Sequence, residues 1–350
     1  MTPTMTTTKN HLYRVAVVGA AGLKGKELGE VLNQRNFPAG DIRLLDDDES
    51  LGQLEAVGDA ATFIQALRAE QFEHVDFTFF ACDESFTREH WRTARNAGST
   101  VIDLSYALED EKGIAIRAPW VEREMGSSMR ADLEANAAVV AHPAAVVLAL
   151  LLLRAQKAAQ IQRVVATVFE PVSERGKRGM DELHEQTVNL LSFQQMPKEV
   201  FDIQVAFNML SHYGERARIS LEAVERRVAK HLSSITRGRV PAPSLALVQS
   251  PIFHAHIFSI YVETSADIPR AEFIRAFEGE HVRITSGEDE PPNNVNVAGE
   301  DDILLAVRGD STQPRGFWLW AAADNLRLSS ITAVDCAAAL ALTRSQGSVQ

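Results

Sequence analysis

Cysteine is nearly absent: Cys82 and Cys336 are the only two in 350 residues. They lie far apart, with no CxxC pair and no metal-ligand spacing, so neither a disulfide framework nor a zinc site is supported, and no metal is expected. A reducing cytoplasm fits best. Long apolar runs are missing too. The most apolar stretch, Val146–Leu153, falls far short of the roughly 20 residues a membrane span needs. The first ten residues form a threonine-rich tail without the apolar core of a signal peptide. Basic residues are in deficit, 35 Lys and Arg against 47 Asp and Glu for a net charge of -12. That balance repels phosphate backbones and anionic lipid, so no nucleic acid and no membrane is expected as a partner. There is no internal repeat, and low complexity is confined to the tails and the polar loop Ser286–Asn294.

What is present reads as an α/β chain long enough for two domains. A β-branched run, Tyr13–Val18, breaks into Gly19-Ala20-Ala21-Gly22-Leu23-Lys24-Gly25 and continues as a helical pattern through Leu32. This is strand, glycine turn, helix. Further strands are expected at Ile42–Leu45, Val75–Ala81 and Thr100–Leu104, separated by helical segments, the alternation of a parallel sheet. Beyond them come a helix over 144–159, a strand over 163–169, helices over 177–192 and 220–234, and paired strands around 252–263 and 303–307. A final helical stretch from Leu326 to Thr343 is read as returning to the first domain.

The glycine loop has a physical meaning in that position. Gly19 permits the turn, Gly22 lets backbone approach a pyrophosphate, and Gly25 lets helix and strand close, while the helix start offers amide hydrogens to an anion. The same loop serves equally as a tight turn without a ligand. About twenty residues on, Asp46 opens an acidic run, Asp46-Asp47-Asp48-Glu49, where a carboxylate can accept from an adenosine ribose. Four carboxylates would repel a 2′-phosphate. If a dinucleotide binds, NAD is expected and NADP is not; binding of neither is the alternative, with the acidic run a solvated turn.

Five blocks in the second half resemble the aspartate-semialdehyde dehydrogenase family. They are Val140–Val147, Phe169–Gly179 with Glu182-Leu183 and Gln186-Thr187, Ala206-Phe207-Asn208, Pro251–His256, and Trp320–Arg327. With the glycine loop they run in the family's order over nearly the whole chain. The resemblance implies a Rossmann-type dinucleotide-binding domain, placed at 11–143 with 325–345, and an α+β dimerisation and substrate domain at 144–324. Residues 1–10 and 346–350 are expected to be tails. It also implies a homodimer through the second domain, whose helix over 177–192 should lie on that domain's sheet. Cofactor contacts fall on Gly19, Gly22, Gly25, Asp46 and Asn325.

The chemistry implied by the resemblance requires a cysteine nucleophile, a histidine acid/base and cationic groups for the substrate's carboxylate and the phosphate. Here the nucleophile position carries Ala145 and its neighbour Ala144. Glu170 stands where the family has a glutamine, Gln249 where it binds substrate with arginine, and Leu108 or Glu109 where an arginine meets phosphate. Val228 replaces a lysine. His256 remains at the acid/base position and Glu225 at the substrate glutamate. On the cofactor side, Asp83 and Glu84 enter a turn that is otherwise small, Glu49 stands at the 2′-phosphate arginine, and Leu328-Ser329 replace a Lys-Gly pair. Cys82 sits beside Asp83 and Glu84, which disfavours a thiolate. These positions describe a homologue that has lost the dehydrogenase reaction and acts by binding a metabolite or another protein. The alternatives are an enzyme of altered chemistry using His256 and Glu225, and an active, divergent NAD(P)-dependent semialdehyde dehydrogenase of amino-acid metabolism.

Overall fold

The computed structural model describes residues 12–57, 60–126 and 136–342. The first half contains β1 (Tyr13–Val18), α1 (Leu23–Gln34), β2 (Ala39–Asp46), β3 (Leu54–Val57), β4 (Ala60–Phe63), β5 (Gln65–Ala66), β6 (Phe77–Phe80), α2 (Glu84–Asn96) and β7 (Thr100–Asp103). It continues with β8 (Ala115–Arg117), α3 (Pro119–Glu124), β9 (Ala137–Val140) and α4 (Pro143–Ala158). Next come β10 (Ile161–Glu170), α5 (Gly176–Leu191), α6 (Leu221–Thr236), β11 (Ser244–Gln249), β12 (His256–Thr264) and α7 (Arg270–Arg275). The chain closes with β13 (Val282–Ile284), β14 (Ile303–Gly309), β15 (Gly316–Ala323) and α8 (Asn325–Ala341). Contacts divide it into two units, Met1–Ile114 with Glu134–Val139, and Ala115–Leu133 with Val140–Gln350.

In the first unit the strands lie in the order β5-β2-β1-β6-β7-β9, every neighbouring pair parallel. This is the Rossmann-like sheet expected from the alternation. Its central strands β6 and β7 are buried along their whole length, which is why they read as continuous apolar runs without alternation. The order reverses between β1 and β6, and the glycine loop sits at that reversal. Gly19 has φ +86°, and a Cβ there would lie 2.8 Å from the Ala81 carbonyl; at Gly25 it would lie 2.2 Å from the Gly19 oxygen. Both glycines are therefore demanded by packing.

The second unit is built on a mixed sheet, β11-β10-β12-β15-β14-β13. Along β10, Val164, Ala166 and Val168 are buried while Val165, Thr167 and Phe169 are not, the period-2 alternation of a sheet covered on one face. Helices α4, α6 and α7 pack on the sheet's strands. The other face carries Phe169, Trp318 and Trp320, the last 40% exposed. Helix α4 is buried on nearly every side, which explains its almost uniformly apolar sequence.

Two expectations differ from the structure. Helix α5 does not lie on the sheet of its own chain: it packs on the turn Val172–Arg175, and Glu182 and Gln186 turn to the loop over 197–206. Val188 and Leu191, expected on the sheet, stay exposed at 47% and 68%. The strand expected from Ile252 begins at His256, because Ala255 has φ +73° and breaks the ladder. In the contact division, α3 and α8 fall within the second unit, where α3 and α4 pack on α8. The structure also contains the β3-β4 hairpin and strands β9, β11 and β15, for which the reading named no element.

Candidate functional site

Glu170 ends β10, on the same face as buried Val164, Ala166 and Val168. His256 begins β12, which runs antiparallel to β10 with Phe169 opposite Ile257. Glu170 and His256 are thus the next register step, where two strands stop together. The N-cap of α4 supplies the third member, His142, with Pro143 at the first helical position. One ring nitrogen of each histidine and one Glu170 oxygen all lie within 4.8 Å of one another, and all three side chains are buried. The two imidazole centroids are 5.6 Å apart.

Hydrogen bonds fix this cluster from outside. His142 donates its backbone N–H to His231 Nδ1 at 2.9 Å, and its Nδ1 accepts from the Ala144 N–H at 3.2 Å. Its Nε2 stands 4.0 Å from Glu174 Oε2. Glu170 Oε1 accepts from Arg175 Nη2 at 2.9 Å, and Oε2 is 3.5 Å from His256 Nε2 without the alignment of a hydrogen bond. Arg175 also reaches the Tyr213 hydroxyl at 3.2 Å. Burial opposes the arginine's charge, but Tyr213, Glu170 and Glu174 outweigh it and hold the guanidinium pKa above its ordinary value. Burial, assisted by Glu170, pushes the Tyr213 hydroxyl up to about 12. Inside this frame both His256 nitrogens and Glu170 Oε2 have no hydrogen-bond partner.

The other expected site residues fall as follows. Ala144 and Ala145 are fully buried in the first turn of α4. Gln249 is buried and fully engaged: its Oε1 accepts from Tyr213 at 2.6 Å, and its Nε2 donates to the Glu170 and Ser250 carbonyls. Glu225 Oε2 accepts from the Leu247 N–H at 3.1 Å, so this carboxylate ties α6 to β11. Val228 is core. Asn325 Oδ1 accepts from the Ala255 N–H, and its Nδ2 donates to Ser173 Oγ and Glu174 Oε1. In the first unit, Asp46 Oδ2 accepts from the Ala21 N–H at 2.8 Å, binding the acidic turn to the glycine loop. No side chain caps α1, and its first turn carries no acidic residue. Within the acidic run, Asp48 pairs with Arg68 at 3.0 Å. Cys82 contacts Thr87, and burial first, then Asp103, Asp46 and Asp83, push its thiol up to about 12.

Sequence reasoning did not single out His142, Glu174, Arg175 or Tyr213. A histidine directly before proline at a helix start was the one signal available for the first. Arg175 lies inside the block Phe169–Gly179 that carries the family resemblance, which gives it no role of its own.

A parallel α/β unit with its glycine loop at the strand reversal, together with a mixed-sheet unit that buries a histidine-carboxylate cluster, defines a two-domain dehydrogenase scaffold. The semialdehyde dehydrogenase NAD binding domain matches residues 14–132, and the semialdehyde dehydrogenase dimerisation domain matches residues 151–328. The chain belongs to the aspartate-semialdehyde dehydrogenase family. An aspartate-semialdehyde dehydrogenase of Rickettsia conorii is 29% identical over 325 residues, covering 90% of this chain and 93% of its own. A USG-1 protein homolog of Pseudomonas aeruginosa is 29% identical over 315 residues, covering 89% and 93%. Aspartate semialdehyde dehydrogenase II of Vibrio cholerae, complexed with ASA, superposes with a TM-score of 0.85 at 24% identity over 96% of this chain and 100% of its own. A relative from Candida albicans solved with NADP gives 0.61 at 14% identity over 94% and 98%; both structures speak for the fold.

Proposed function

We propose that this family member does not carry out the cysteine-dependent, phosphate-requiring oxidation of aspartate semialdehyde and acts by binding. The observation that carries the reading is the first turn of α4, where His142-Pro143-Ala144-Ala145 offers buried methyl groups at the position matched to the nucleophile. A methyl group forms no thiohemiacetal, so the covalent route is closed. Gln249 supports the same reading, since an amide engaged in backbone and tyrosine hydrogen bonds gives a substrate carboxylate no counter-charge. Cys82, with its thiol pushed up to about 12, is a poor relocated nucleophile. The decisive assay measures phosphate-dependent reduction of NAD and of NADP with aspartate semialdehyde. No turnover is expected, and Ala145→Cys alone should not restore it; a rate within a hundredfold of an active family member would overturn the reading.

We further infer a homodimer in a reducing cytoplasm, with NAD preferred over NADP. The cysteines support the compartment, being unpaired thiols. Asp46 and Asp47 at the end of β2 and Glu49 beyond them support the preference, although Arg68 offsets Asp48. A second reading, an enzyme of altered chemistry, draws on the Glu170-His256 pair, because a buried carboxylate against an imidazole is an acid/base arrangement.

A further inference from the structure

We propose that His142, Glu170 and His256 form a binding site for a divalent transition-metal ion of zinc-like preference. No metal-ligand spacing is visible along the chain, because the three residues are contributed by a helix N-cap and two strand ends far apart in sequence. The proposal goes beyond the lost thiol route and does not depend on it.

The donor set is two imidazoles and one carboxylate, which suits a borderline ion with an open position for water or a ligand. Their donor atoms already lie within 4.8 Å of one another, with the Glu170 and His256 atoms at 3.5 Å. Tetrahedral ligands at about 2.0–2.1 Å from zinc stand roughly 3.3 Å apart. Side-chain rotation within the cluster therefore closes the site without moving a strand. Among the described residues no other group of three such side chains is gathered this way.

Satisfaction of polar atoms points the same way. Buried polar groups carry partners almost without exception. Both nitrogens of His256 and Glu170 Oε2 have no hydrogen-bond partner, although these residues are 1% and 0% exposed. One ion would satisfy an atom of each residue. His142 is the member with competing contacts, among them the 3.2 Å N–H···N bond from Ala144 to its Nδ1, which is weak beside a metal bond.

Charge adds a third argument. Glu170 and Glu174 place two carboxylates beside the imidazoles in a buried space, where opposite charge favours a divalent cation. The surroundings resemble an outer shell: Arg175 holds the other Glu170 oxygen at 2.9 Å, and His231 fixes the backbone of His142 at 2.9 Å. The rival arrangement uses a proton, giving a His256-Glu170 ion pair with no metal.

The test uses the full chain, stripped with a chelator and titrated with Co²⁺ as the probe. Tight equimolar binding with the visible absorption of a tetrahedral cobalt centre is expected, displaced by Zn²⁺, together with a Zn²⁺-dependent rise in Tm. Glu170→Gln keeps the size of the side chain and His142→Asn keeps a residue able to cap the helix, so both should fold. Each should weaken Co²⁺ binding at least thirtyfold and abolish the Tm rise, while His281→Gln, outside the cluster, changes neither. Absence of equimolar binding to the parent chain overturns the proposal in favour of the protonated pair. Binding unchanged in both cluster variants overturns it equally, by placing the ion elsewhere.

Discussion

At the scale of single residues, the candidate site turns on substitutions that move charge. Guanidinium is absent where the family resemblance expects it, at position 249, and Arg175 brings one to Glu170 from the neighbouring turn instead. Arg175→Ala should leave a fully buried carboxylate without its cation and destabilise the fold by about 3 kcal/mol. Urea unfolding at pH 7 measures this, and Arg175→Lys should fall between the two. The thiols give a second prediction. With Cys82 pushed up to about 12 and Cys336 pushed well above its ordinary range by burial, both thiols stay protonated near neutral pH. Both thiols should resist alkylation in the native protein and react readily in urea; fast native labelling at either would contradict this. His256 and Glu170 were legible as departures from or survivals of a family pattern. His142 and Arg175 were not, because nothing in linear sequence tells that a helix cap and a tight turn meet two strand ends.

Among elements, polar side chains do much of the joining. Glu124 at the end of α3 pairs with Arg154 at 3.1 Å and with Lys157, both on α4. Burial works to raise its pKa, but Lys157 and Arg154 prevail and hold the carboxyl below its ordinary 4.5. A depressed carboxylate stabilises the fold above its unfolded pKa and loses that contribution as pH falls through the folded one. Glu124→Gln should therefore cost about 1–2 kcal/mol at pH 7 and progressively less below pH 4.5, read from denaturation midpoints across pH. Glu182 has a comparable role. Its carboxylate accepts from the N–H groups of Glu199, Val200 and Phe201, fastening a loop to α5. Glu182→Ala should cost roughly 2–4 kcal/mol and raise amide exchange over 199–201. Most helices and the longer strands were legible from apolar periodicity, since burial on one side imposes it. The β3-β4 hairpin was not, because strands of four residues are too short to show a period. The position of α5 was missed for another reason: its apolar residues follow helical spacing, yet the face it buries is set by Glu182 and Gln186.

For the whole molecule, the pairing surface is the open question that physics answers most directly. The outer face of the second sheet carries Trp318, Trp320, Val165 and Phe169, and α5 leaves Val188 and Leu191 exposed, followed by Phe193 at 98%. Apolar surface of this extent on a dimerisation domain predicts a second copy covering it. Light scattering should give twice the 38.5 kDa chain mass, and Trp320→Glu should return the single mass. Domain class and glycine-loop position were readable from the strand-glycine-helix order, whereas the unit boundaries depend on helices that meet across distant sequence. Helix α4 shows what that means during synthesis. Its apolar surface is covered in part by α8, the last helix among the described residues, so α4 leaves the ribosome long before that part of its cover exists. Until α8 emerges, that part of the α4 surface lies bare on the nascent protein, an invitation to chaperones and to aggregation. Premature stop codons before Asn325 should therefore yield insoluble polypeptide and no functional fragment.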